Sequence, residues 1–158
     1  MLTPRVALAA VALCAVGGLA GACGGTAPLS RAQAGTDYLN DIAPVHSAAA
    51  AFATAATMWT LTTTNAEASA DAAPLITAEE NFDAALSSTA WPANATADVQ
   101  TLITENKVII ADLTELSTIT RAAVAGWELK IGTDTDVDAA DSNLVRSDLG
   151  LPQATLAV

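Results

Sequence analysis

Large side chains are scarce in this chain, and that scarcity limits the fold more than any motif does. Of 158 residues 52% are hydrophobic, yet only Tyr38, Phe52, Trp59, Phe82, Trp91 and Trp127 are aromatic. Much of the apolar fraction is alanine, which removes little area from water per residue. Burying enough surface with such residues requires backbones that approach closely. Alanine is also the best intrinsic helix former, so composition points to an all-α chain with room for one domain.

The apolar spacing agrees. Tyr38, Ile42, Val45, Ala49, Phe52, Ala56 and Trp59 step by four and three, which places them on one helical face. Thr36 is the expected N-cap, and Pro44 predicts a kink in a helix whose register continues across it. Residues 60–71, with three successive threonines, read as a connection. A second helix is expected over 72–89, with Pro74 in its first turn, Leu75, Phe82 and Leu86 inward, and Glu79, Glu80 and Asp83 towards water. A third begins at Asn94 or Thr96 and carries Val99, Leu102, Ile103, Ile109, Ile110, Leu113 and Leu116. Residues 117–120 break it. Residues 121–131 and 137–149 form a last helix interrupted around Gly132, closed by Gly150 as a glycine cap with Pro152 beyond. The expected fold is an antiparallel up-down four-helix bundle with a kinked first helix and an interrupted last one.

The N-terminus reads as an export address. Met1 to Arg5 carry one positive charge, and Val6 to Leu19 form an apolar stretch long enough for a signal core but short for a membrane span. Leu19-Ala20-Gly21-Ala22-Cys23 then resembles a bacterial lipobox, with the customary leucine one place early. Small residues precede the cut because the peptidase accepts only small side chains, and the Cys23 thiol carries the diacylglycerol. The expected organisation is a removed signal over 1–22, a lipidated tether over 23–35, a helical domain over 36–150 and a tail over 151–158. Cys14 lies within the signal, so Cys23 is the sole cysteine of the processed chain, leaving no disulfide or thiolate chemistry. The expected location is the outer face of the cell membrane through a lipid anchor; the alternative is secretion.

Charge excludes one class of partner. Outside the signal the basic residues are Arg31, Lys107, Arg121, Lys130 and Arg146, scattered against seventeen Asp and Glu. Nucleic-acid binding needs Lys and Arg to neutralise phosphates, and this chain repels them.

Catalytic and metal patterns are equally thin, and no cofactor or catalytic residue is expected. Asp134, Asp136 and Asp138 alternate like the start of a calcium loop, but Ala139 stands where the turn glycine belongs and Val145 where the closing glutamate belongs. His46 is the single histidine, which rules out paired-histidine metal sites, and it is expected on a helix flank beside the core. Met58 shares its helix and cannot oppose it across a haem. No nucleophile elbow, phosphate-cradling loop or dinucleotide fingerprint occurs. Asn94-Ala95-Thr96 matches a glycosylation sequon but reads as capping chemistry. Asn106 interrupts the stripe of the third helix, either as a buried amide fixing register or at the wet end of the bundle.

Tyr38-Leu39 with Ala43-Pro44, the central Trp91-Pro92, and the closing Val145-Arg146-Ser147-Asp148-Leu149-Gly150-Leu151-Pro152 together resemble the uncharacterised alanine-rich lipoproteins of high-GC Gram-positive (actinobacterial) bacteria. The resemblance implies a helical fold in which 121–149 form one interrupted helix, and it transfers no functional residue. The functional expectation is a non-enzymatic, membrane-tethered module that binds an envelope protein or other ligand. The alternative is a carrier or sensor of a small apolar molecule between the helices, lined by Trp59, Trp91 and Trp127. A hydrolase working through Glu79 and Asp83 is the least supported reading.

Overall fold

The computed structural model describes residues 27–154. The expected signal, Cys23 and the last four residues lie outside the described residues. Within them the chain is helical: α1 (Arg31–Thr57), α2 (Asn65–Ser88), α3 (Thr96–Glu115) and α4 (Val124–Leu149), with a single 3-10 turn over Arg121–Ala123 leading into α4. Each helix packs beside the next in chain order, and α4 closes back on α1 through the least extensive of these contacts. No helix among the described residues is long and apolar enough to cross a membrane.

Two helix starts differ from expectation. The α1 helix begins at Arg31 with Ser30 as its cap, inside the segment expected as tether, and Thr36 lies within the helix, its hydroxyl donating to the Ala32 carbonyl. Arg31 explains the difference. Its guanidinium donates to the Asp148 and Ser147 carbonyls at 2.6 and 2.7 Å, so it satisfies the last turn of α4 while extending α1. The α2 helix begins at Asn65 rather than 72. Thr64 and Glu67 form a reciprocal capping box, in which the Thr64 hydroxyl accepts from the Glu67 amide and the Glu67 carboxylate accepts from the Thr64 amide at 2.7 Å. Pro74 therefore lies mid-helix, not in the first turn. Pro44 and Pro74 both sit on exposed faces, where the carbonyl each one leaves free meets water.

The α4 helix runs through Gly132 without the expected interruption. A side chain at Gly132 would meet nothing within 4 Å, so no neighbour forces a bend there. The one break in this region comes earlier, at the 3-10 turn. Gly150 ends the helix at φ +72°, and the Leu151 amide reaches back to the Arg146 carbonyl at 2.8 Å, as a glycine C-cap requires. The α3 helix lacks a side-chain cap; Asn94 instead donates to the Asp148 carbonyl at 2.9 Å.

The core follows the predicted stripes. Tyr38, Ile42 and Val45 of α1, Leu75, Phe82 and Leu86 of α2, Val99 to Leu113 at helical spacing in α3, and Val145 and Leu149 of α4 are buried together. Tyr38 is fully buried, its ring edge-on to Phe82 and Trp91 at 5.8 and 6.4 Å. Because Gly132 sits in an open, exposed, continuous helix, Gly132→Ala is expected to stabilise the protein by about 1 kcal/mol. Urea unfolding checks this, and a loss of stability would mean the helix is not continuous there.

Candidate functional site

Backbone and side-chain contacts give the bundle two unlike ends. At one, the start of α1 is tied to the α2–α3 connection and the end of α4: the Leu29 amide donates to the Ala90 carbonyl at 2.8 Å, beside the Arg31 and Asn94 bonds. The opposite end, formed by the α1–α2 connection, the end of α3 and the start of α4, is less completely filled. A cleft of about 390 Å³ opens there, walled by Trp59, Leu61, Ala68, Leu116, Ile119 and Val124. Thr64, Asn65, Arg121 and Glu128 supply its exposed polar groups. The volume falls in the range of small-molecule sites, and so does the pairing of apolar walls with a few polar groups. A more open depression of about 480 Å³ shares Trp59, Thr60 and Thr63 and runs to Glu67 and Asp71.

Trp59 is fixed between these two hollows. Its indole N–H donates to the Asp71 carboxylate at 2.9 Å, and its ring meets Phe52 edge-on at 5.7 Å and Trp127 at 6.5 Å. The three tryptophans thus occupy different settings. Trp59 lines the cleft. Trp127 is buried behind it and donates to the Asp112 carbonyl at 2.7 Å. Trp91 is buried at the other end, packed on Tyr38 and bonded to the Leu86 carbonyl at 2.7 Å.

A second feature runs through the middle of the bundle. Glu79 and Asp83 are buried, not turned to water as their charge suggests; they are only 6% and 9% exposed. Asn106, 1% exposed, donates its amide to Asp83 at 2.8 Å, which settles its role as a buried polar group on the helix interface. Across from α2, Asp138 of α4 turns inward, and its Oδ1 is buried without a partner. The alternating aspartates therefore lie in mid-helix, with Asp134 held 3.7 Å from Lys130 on the outside and Asp138 facing the core. Tyr38 and Ser142 complete the layer with a buried hydrogen bond of 2.7 Å. Among the described residues no three acidic, histidine or cysteine side chains converge closely enough to hold a metal ion. His46 is exposed on α1, away from this layer.

Burial sets the chemistry of these groups. Desolvation, then the negative charges of Asp138 and Asp83, pushes the Glu79 carboxyl up to about 8. Desolvation, then Asp141, Glu105 and Asp83, pushes Asp138 up to about 7. Asp83 is raised as well, chiefly by desolvation, with the Asn106 hydrogen bond and Lys107 pulling the other way. Burial raises the Tyr38 hydroxyl to about 12, so it keeps its proton across the ordinary pH range.

Comparison of the chain with protein-family models, with curated proteins and with solved structures yields no match.

A carboxyl whose folded value lies above its unfolded one binds its proton more tightly in the native state. The associated stability is full below the unfolded value near 4.5 and is lost as pH rises through about 8. Unfolding free energy is therefore expected to fall between about pH 5 and pH 8. Glu79→Gln should flatten that slope, as read from urea midpoints; an unchanged slope in the variant would mean that Glu79 does not govern it.

Proposed function

We propose that the protein is a non-enzymatic, lipid-tethered binding module of the cell envelope, an antiparallel up-down four-helix bundle that holds a small, mainly apolar molecule in its far-end cleft. The observation that carries this reading is the position of the cleft. A chain anchored at Cys23 enters the domain at the start of α1. The cleft lies at the other end of a 27-residue helix, about 40 Å away at 1.5 Å per residue. Such an arrangement holds the opening clear of the membrane surface and turns it outward.

The chemistry of the walls supports a ligand in preference to an extended protein partner. Trp59 offers a large apolar face whose indole N–H is already satisfied, so binding requires no unpaired donor to be buried. Leu116 and Ile119 add aliphatic contact, and Arg121 stands at the opening with no ion-pair partner among the described residues. An apolar body with an acidic or polar end fits this set. The resemblance to actinobacterial lipoproteins, and the lipobox-like Leu19 to Cys23, support the address; secretion without the anchor is the competing one.

Two measurements test the reading. The intact mass of the protein recovered from membranes is expected to show loss of residues 1–22 and a diacylglyceryl adduct on Cys23; recovery from the cytosol with residues 1–22 attached would remove the proposed address. For the cleft, the dye 1-anilinonaphthalene-8-sulfonate has an apolar body and one anionic group. It should bind at a single saturable site, with affinity reduced roughly tenfold or more by Ala125→Trp, a substitution that fills the cleft from its exposed α4 wall, a loss of about 1.4 kcal/mol. Trp91→Phe, at the opposite end, is expected to leave binding unchanged. Equal affinity in all three proteins would eliminate the cleft as the site.

A further inference from the structure

The carboxylate layer is independent of the cleft, and its geometry bears on how α4 is held. Between Trp127 and Ser142, α4 contributes no buried residue to the core. Leu129 and Val137 of this stretch are 75% and 43% exposed. It is fastened at one end by the Lys130–Asp112 ion pair and Trp127, and at the other by the Ser142–Tyr38 bond. Asp138 turns inward between these fastenings. Helical stretches with so few buried apolar contacts open locally at low cost.

What Asp138 meets is uncompensated negative charge. Glu79 is only 6% exposed, and the Asp138 Oδ1 is buried without a hydrogen-bond partner. From α2 they share the space with Asp83, whose carboxylate is engaged by Asn106 of α3. Glu105 of α3 and Asp141 of α4 add negative charge. The nearby cations are committed or outside: Lys107 is exposed and acts on Asp83, while Arg146 donates to the Pro152 carbonyl and acts on Tyr38 of α1. Two unpaired carboxylates cannot both stay ionised in such surroundings without either taking up a proton or moving into water.

We propose that proton uptake by Glu79 and Asp138 holds the middle of α4 against the bundle, and that their ionisation releases it as a pH-dependent flap. The α2 side cannot give way, because Glu79 lies between Leu75 and Phe82 in the packed core. The α4 side can, since the stretch around Gly132 holds no fully buried residue and Ile131, partly buried, is its one apolar side chain packed against the core. Release brings Asp138 into water, where its charge is solvated, and uncovers Glu79.

Amide hydrogen exchange on the full processed chain tests this, read at about pH 6 and about pH 8.5 and corrected for the intrinsic pH dependence of exchange. Protection of amides over 131–141 is expected to stay below that of α3 amides and to fall at least roughly tenfold across that interval, because each group whose folded value lies above its unfolded one contributes up to about tenfold per pH unit between the two. In the Glu79→Gln, Asp138→Asn double variant that fall should disappear. Carbon-13 shifts of the Glu79 carboxyl in the wild-type protein provide a readout that needs no variant. Equal protection over 131–141 and in α3, which would mean that α4 opens only with the whole bundle, or a Glu79 carboxyl titrating near the ordinary value of 4.5, would overturn the proposal.

Discussion

The hydrogen bond between Tyr38 and Ser142 closes the structure. Tyr38 is fully buried and its ring touches α2 through Phe82 and the α2–α3 connection through Trp91, so it is anchored on two sides before its hydroxyl reaches α4. The α1–α4 contact is the least extensive in the bundle, and alanine-rich helices supply little area with which to widen it. A buried hydroxyl pair is directional where apolar contact is not. Its loss would leave two polar groups unsatisfied, so it fixes which residue of α4 lies opposite Tyr38. The inward direction of Asp138, one turn earlier on α4, follows from that register.

The same register explains why the polar layer accumulates in mid-bundle. Glu79 falls four residues after Leu75 and three before Phe82, and Asp83 three before Leu86. Both therefore lie on the stripe that enters the core. On α3, Asn106 holds the equivalent place between Ile103 and Ile109. Helical geometry admits these side chains to the interior regardless of their charge, and the raised proton affinity of the two carboxyls with one amide hydrogen bond makes them tolerable there. The chain thus departs from apolar packing chiefly at this level, with Asp112 and Arg146 buried beyond it, while the apolar residues above and below keep the helices together.

Much of the fold was legible because it rests on spacing. The α1 stripe from Tyr38 to Ala56, the α3 stripe from Val99 and the Gly150 cap are periodic or stereochemical signals, and each is where the spacing places it, although Trp59, expected to close the first stripe, lies past the end of α1 at Thr57. The start of α2 was hidden in plain composition: Thr64-Asn65-Ala66-Glu67 is a capping-box pattern, but it sits among other threonines and reads as a loop. Arg31 could not be recognised as a helix residue, since its partners are the Asp148 and Ser147 carbonyls more than a hundred positions away. The inward turn of Glu79 and Asp83 was readable from their spacing but was set aside on charge, which shows that periodicity outranks polarity when the two conflict. Gly132 misled in the opposite way. A helix with no neighbour at that position meets no steric reason to stop.

The tryptophans mark the limit of sequence reasoning most clearly. In composition Trp59, Trp91 and Trp127 are equivalent, yet Trp59 resolves the need of its indole N–H differently from the other two. Trp91 and Trp127 donate to backbone carbonyls of helices that cannot move without unfolding, so both are bound into the frame. Trp59 donates to the carboxylate of Asp71, a partly buried side chain in the depression beside the cleft. A side-chain acceptor can rotate and exchange its donor where a helical carbonyl cannot. That single difference in partner, invisible until α1 and α2 are brought together, makes Trp59 the one indole of the three whose surroundings can adjust to a guest.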